Sequence, residues 1–208
     1  MAVSAQLTGP FLALASAKNL DLAADTIKVT LHTSTMTPSV AWDYADHLTN
    51  EVAAAGGYTT GGATLASKTL AYTAAGSLTA WAANTSYTAG DVRRKTVDNG
   101  HAYICIVAGT SHATTEPIWP TGSRATITDG TVTWAECGHG VVVFDAADLT
   151  WAASTITARY AWLQDATPGS AATNPLIGYV DFGADLASSA GNFTITWHPQ
   201  GIVVLPIG

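Results

Sequence analysis

Charge is scarce in this chain of 208 residues. Charged side chains make up 11% of the sequence, against roughly 25% in ordinary globular domains. Only 8 of them are Lys or Arg, and the formal net charge is −7. Phosphate recognition needs a basic patch, and the single basic run, Arg93-Arg94-Lys95, lies in a predicted strand. A nucleic-acid partner is therefore not expected.

Cysteine is almost absent. Cys105 and Cys137 are too few for a disulfide framework, which leaves one bridge or two small buried thiols as alternatives. His101 and His139 lie near them in the sequence and raise the question of zinc. Zinc ligands lie about 2.0–2.3 Å from the metal. Residues four apart on a strand, such as His101 and Cys105, are separated by roughly 13 Å. No metal site is predicted.

Long apolar runs are also missing. No segment approaches the ~18 residues that span a bilayer, so no membrane association is predicted. The apolar segment 11–15 is not preceded by a basic residue, since the first Lys is Lys18. A secretory signal is therefore not expected.

Catalytic signatures are lacking as well. The sequence contains no G-x-S-x-G, no H-E-x-x-H and no phosphate-binding glycine loop. The pairs Asp145 with Asp148 and Asp181 with Asp185 are spaced like turn and strand-end residues, where Asp bonds its own backbone. We expect no enzyme, no catalytic residue and no cofactor.

What the chain does contain is the pattern of β-strands. Ile27, Val29 and Leu31 alternate with polar residues, which is typical of a half-buried strand over 25–33. Further strands are predicted at 64–72, 141–144, 149–151, 157–164, 176–182, 193–198 and 202–205, with turn signals about every ten residues in the second half. A short helix is predicted within 40–50. The fold class predicted is all-β, an antiparallel β-sandwich of jelly-roll or immunoglobulin-like type.

One stretch differs in composition from the rest of the chain. The segment 80–140 is rich in large aromatic residues, whereas its flanks are rich in Ala, Thr and Gly. Inserting a unit into a loop costs little when the two ends emerge close together. We therefore predict a discontinuous sandwich formed by residues 1–79 and 141–208, and a small inserted β-rich module at 80–140.

The sandwich part resembles small structural proteins of tailed bacteriophages. The resemblance rests on an ordered series of motifs: Asp25-Thr-Ile-Lys-Val29, Asn50-Glu-Val52, Gly57-Tyr-Thr-Thr-Gly61-Gly62, Asp145-Ala-Ala-Asp148-Leu-Thr-Trp151, Ser154 to Tyr160, Pro175-Leu-Ile-Gly-Tyr179 and Asp181-Phe-Gly-Ala-Asp185. The resemblance implies a virion protein that is made in the host cytoplasm and decorates or cements the capsid exterior. Its implied partners are the major capsid protein and copies of itself. The alternatives are a tail, baseplate or fibre-associated subunit and a stand-alone carbohydrate-binding protein.

The inserted part resembles the small chitin- and cellulose-binding modules of bacterial chitinases. Trp81, Asn84-Thr85, Tyr87, Gly90, Tyr103, Cys105, Glu116-Pro117 and Trp134 occur in the order of those modules. Exposed flat aromatic rings stack on the apolar faces of sugars. The candidate polysaccharide-binding residues are Trp119, Trp81, Tyr87 and Trp134.

One position departs from the carbohydrate-binding pattern. Thr115 stands where the relatives commonly carry an exposed Trp before Glu-Pro, so Trp119 replaces that ring only if it points outward. The alternative is that these aromatic residues form the core of a module of about 55 residues, a size at which every large aromatic is needed inside.

Overall fold

The computed structural model describes residues 2–208. Strands make up 43% of the chain and helices 6%, so the predicted all-β class is confirmed, with several antiparallel sheets in a sandwich-like fold. The described chain divides into two compact units. Unit 1 contains residues 2–69 and 145–203, and unit 2 contains residues 70–144 and 204–208. Unit 2 is thus wider than the predicted insertion at 80–140.

Unit 1 contains two sheets and a short helix. Its elements are β1 (Ala2–Val3), β2 (Gln6–Leu7), α1 (Phe11–Ser16), β3 (Ile27–His32), a 3₁₀ turn (Ala45–His47), β4 (Ala63–Thr64), β13 (Leu149–Ser154), β14 (Thr157–Asp165), β15 (Leu176–Ala187) and β16 (Gly191–Trp197). The larger sheet has the order β2-β15-β14-β3-β4, and the smaller has the order β1-β16-β13. All pairs in unit 1 are antiparallel except β1 with β16.

The core of unit 1 lies between these sheets. Ile27, Val29 and Leu31 alternate on one face of β3 and are fully buried, as the period of two requires. From the smaller sheet, Phe193 contacts Phe182 of β15, with ring centroids 6.1 Å apart. A second cluster covers the other face of the larger sheet, where Trp162 stacks on Tyr179 and Trp42.

The predicted helix within 40–50 is wrong. The segment forms only the 3₁₀ turn, flanked by extended backbone at Tyr44 and Leu48. Its backbone makes hydrogen bonds to a distant part of unit 1. The N–H of Ala45 donates to the carbonyl of Asn174, and the N–H of Leu176 donates to the carbonyl of Asp43. These long-range bonds replace the bonds that a helix would make.

Unit 2 is built from shorter strands. Its elements are β5 (Thr69–Ala74), a 3₁₀ turn (Ala75–Ser77), β6 (Ser86–Tyr87), β7 (Val92–Arg94), β8 (Ala102–Val107), β9 (Gly109–Thr110), β10 (Thr126–Asp129), β11 (Val132–Glu136), β12 (Gly140–Asp145) and β17 (Val203–Ile207). They form sheets in the orders β10-β11-β8-β7, β17-β12-β5 and β6-β9. The strand predicted at 64–72 is split into β4 and β5, because Ser67 between them has φ +53°.

Two adjacent glycines before β4 provide a matched test of backbone packing. Gly61 and Gly62 both have positive φ, at +89° and +69°. A Cβ on Gly61 meets nothing within 4 Å, whereas a Cβ on Gly62 overlaps the carbonyl of Val29.

We therefore expect Gly61→Ala to lower the free energy of unfolding by roughly 1–2 kcal/mol, the cost of a left-handed residue. Gly62→Ala adds a backbone clash and should cost about 1–3 kcal/mol more. Urea unfolding of the two variants measures the difference. Equal losses would show that β4 does not pack on β3 as described.

Candidate functional site

Three of the four predicted carbohydrate-binding residues meet in one cluster inside unit 2. The ring of Trp134 on β11 contacts Tyr87 of β6 edge-on at 4.8 Å and contacts Trp119 at 5.7 Å between centroids. Trp119 lies in the loop between β9 and β10 and packs on Tyr103 at 4.3 Å. Trp81 is partly buried and packs against the same cluster.

The cluster is closed to solvent. Trp134 is 0% exposed, Tyr87 3% and Trp119 6%. Stacking on a sugar requires a free ring face, and these three faces are covered by one another. Of the two alternatives for these residues, the core of the module describes these three, and none of them offers a free ring face to a sugar. Trp81 is partly buried and does not form a sugar-binding platform by itself.

A buried carboxylate fixes the indole N–H groups. Oδ2 of Asp129, a residue 2% exposed, accepts hydrogen bonds from Nε1 of Trp81 at 2.7 Å and from Nε1 of Trp134 at 3.1 Å. Its Oδ1 accepts from the backbone N–H of His112 at 2.8 Å. A buried charge is tolerated when its lone pairs are satisfied. Asp129 therefore turns both indoles inward.

Glu116, the acidic residue of the Glu-Pro motif, also accepts a hydrogen bond from an indole. Oε1 of Glu116 accepts from Nε1 of Trp119 at 2.9 Å and from the N–H of Thr96 at 2.7 Å. The Tyr103 hydroxyl, next to Trp119, donates to the carbonyl of Pro120 at 3.0 Å. Glu116 thus holds Trp119 inside and joins two loops. Thr115 is exposed and brings no ring to the surface.

Exposed apolar side chains lie beside the two residues that bond to Glu116. Ile118 is 91% exposed and Val97 is 74% exposed, each within two residues of a group bonded to Glu116. The sequence pattern did not single them out, because an isolated aliphatic residue in a loop carries no periodic signal. A scattered exposed aliphatic residue is also common on protein surfaces.

The two cysteines are free thiols, so the bridge considered from the sequence does not form. Burial raises the pKa of Cys105 to about 11 and that of Cys137 to about 12. Both thiols therefore stay protonated at neutral pH, and neither is suited to bind a metal as thiolate. Within residues 2–208, no group of three or more His, Cys, Asp or Glu side chains is arranged to hold a metal ion.

A different surface stands out on unit 1. Apart from Ala153, which lies at an irregularity of β13 with φ +48°, five residues of β13 and β16 are exposed and none of them is charged: Thr150, Ala152, Asn192, Thr194 and Thr196. Thr150 and Thr194 are direct cross-strand partners whose hydroxyls lie 2.9 Å apart. Their inward neighbours Trp151 and Phe193 are buried, so the face is backed by packed core. On β16 the buried residues Phe193, Ile195 and Trp197 alternate with the exposed polar residues, whose side chains form this surface.

The chain matches no protein-family model, and comparison with curated proteins and with solved structures finds no similar sequence or fold. Among the residues described, no helix is both long enough and apolar enough to cross a membrane.

The closed core of unit 2 predicts opposite outcomes at two neighbouring positions. Trp119→Ala should lower the free energy of unfolding by about 3–5 kcal/mol, because it empties a buried aromatic site. Ile118→Ala, at an exposed position, should change it by no more than about 0.5 kcal/mol. Thermal unfolding followed by near-ultraviolet circular dichroism measures both. If the Trp119→Ala chain were as stable as the parent, Trp119 would not be a buried core residue and would again be a candidate for sugar binding.

Proposed function

We propose that this chain is a structural protein of a tailed-phage virion that decorates the capsid exterior, and that the uncharged face of unit 1 docks on the capsid lattice. The observation that carries the proposal is that face: five exposed residues on the smaller sheet, without a charge among them. The resemblance of the ordered motifs to those of phage structural proteins supports the virion assignment. The partners are the major capsid protein and further copies of this chain.

The desolvation cost of such a face is low. Charged residues are depleted at the centres of protein interfaces. Removing a charge from water costs far more than removing a hydroxyl, and the Thr150 and Thr194 hydroxyls already lie at hydrogen-bonding distance from each other. This surface therefore loses little hydration energy when a partner covers it.

The entropic cost is low as well. Long flexible side chains lose up to about 2 kcal/mol each on ordering, whereas Ala loses none. Thr is stiff at χ1 because it is β-branched, and the sheet holds its backbone. A lattice repeats the same contact under symmetry, so a modest energy per contact suffices for a subunit present in many copies.

The proposal assigns no polysaccharide binding to the four aromatic residues, since three of them are buried in the core of unit 2 and Trp81 packs against that core. It also differs from the alternative of a tail or baseplate subunit in the number of sites that the particle offers. A capsid lattice repeats its binding site over the whole head, whereas a tail offers few sites.

A charge placed in the centre of the face tests the docking. Thr194→Lys should lower incorporation into particles at least about tenfold, because an unpaired buried ammonium costs several kcal/mol. The variant should fold normally, since residue 194 points outward from β16. Incorporation is measured by quantitative gel of purified particles against the major capsid protein.

The matched control is Thr128→Lys, which places the same charge on an exposed Thr of β10 in unit 2. It should be incorporated like the parent chain. Normal incorporation of Thr194→Lys would overturn docking through this face. If Thr128→Lys alone lowered incorporation, the docking surface would be assigned to unit 2.

A further inference from the structure

We infer that His101 and His139 of unit 2 bind one divalent transition-metal ion between them, of the class of Zn²⁺, Ni²⁺ or Cu²⁺. The two imidazole rings lie with their centroids 4.8 Å apart and their planes at 46°. The inference does not depend on the proposed function, because it concerns the isolated chain.

A bulge in the sheet brings the two histidines together. The N–H of Cys137 donates to the carbonyl of Ala102, and the N–H of Ala102 donates to the carbonyl of Gly138. Two residues therefore oppose one, which is the pattern of a β-bulge. The extra residue shifts the register so that His139 comes across from His101. Gly138 has φ +97°, and a Cβ there would overlap the carbonyl of Ile207, so the bulge needs glycine.

The backbone of His139, the residue after the bulge, is held by hydrogen bonds to two other segments of unit 2. Its N–H donates to the carbonyl of Ile207 at 2.7 Å, and its carbonyl accepts from the N–H of Ala75 at 2.9 Å. These bonds hold the pair in a fixed arrangement rather than on a free loop, which lowers the entropy lost when an ion is bound.

Hydrogen bonds leave the Nε2 atom of each ring as the metal donor. Nδ1 of His139 lies 2.7 Å from the carbonyl oxygen of Gly100, which only accepts, so this nitrogen carries the proton. Nδ1 of His101 lies 2.8 Å from Oε1 of Glu136. Within the described chain neither Nε2 has a hydrogen-bond partner. A neutral ring protonated on Nδ1 has its lone pair on Nε2.

Glu136 lies behind His101 and holds its ring through Nδ1. It is 4% exposed and also accepts from the backbone N–H groups of Gly138 at 2.9 Å and Arg124 at 3.2 Å. These hydrogen bonds fix the carboxylate, and its Oε1 orients the ring of His101, as carboxylates do behind metal-bound imidazoles.

The ring separation fits a shared ion. At metal–nitrogen distances of about 2.0–2.1 Å, two imidazoles on one ion have centroids about 4.5–5.2 Å apart for angles from about 90° to 109°. The observed 4.8 Å lies inside that interval. His139 is exposed and the side chain of His101 is 17% exposed, so an ion reaches the pair from solvent. Water or a ligand from another molecule completes the coordination.

The experiment is isothermal titration of the purified full chain with Zn²⁺ and, separately, with Ni²⁺. The parent chain should bind one ion. His139→Ala and His101→Ala should each weaken binding at least about tenfold, because a single imidazole remains. Glu136→Gln should weaken binding by about tenfold, the usual effect of losing an outer-shell partner.

The matched control is His47→Ala in unit 1, an exposed histidine paired with Asp43 at 3.2 Å, which should bind the ion like the parent. His139→Ala is the decisive variant, since it removes an exposed side chain, and circular dichroism checks its fold. Absence of binding by the parent at millimolar Zn²⁺ and Ni²⁺ would overturn the inference. So would binding that survives His139→Ala or depends on only one of the two histidines.

Discussion

The buried carboxylate of Asp129 is the constraint on which unit 2 depends. A carboxyl group with almost no exposure needs hydrogen-bond partners, and the donors to Asp129 are the indoles of Trp81 and Trp134 and a backbone N–H. Those bonds fix the direction of both rings, and Tyr87 and Trp119 then pack on Trp134. Glu116 does the same for Trp119. A chain segment rich in aromatic residues thus becomes a closed core rather than an adhesive surface.

The surfaces available for function lie elsewhere as a consequence. Unit 1 presents a sheet face of small uncharged side chains backed by Trp151 and Phe193. Unit 2 presents a pair of histidines fixed by a carboxylate, a carbonyl and a bulge. The first is suited to a protein partner, since little hydration energy or side-chain entropy is lost there. The second is where we propose a metal ion, since imidazole nitrogens are ordinary ligands of transition metals.

The sequence predicts the strands better than it predicts the surface. The alternation of Ile27, Val29 and Leu31 is a local signal and holds in the sheet. The direction of Trp119 is not local, because it depends on a hydrogen bond to Glu116. The helix expected within 40–50 does not form, because the N–H groups of Ala45 and Asp46 bond to carbonyls more than a hundred positions away. The approach of His139 to His101 depends on one inserted residue at Gly138, which no periodicity shows.

The copy number of this chain in purified virions tests the central claim most directly. Quantitative mass spectrometry against the major capsid protein gives the ratio of the two chains. A protein that covers the capsid should be present at a ratio near one, or at a simple fraction of one that the lattice symmetry dictates. A few copies per hundred capsid subunits would contradict capsid decoration and assign the chain to the tail. Absence from the particle would contradict a virion role altogether.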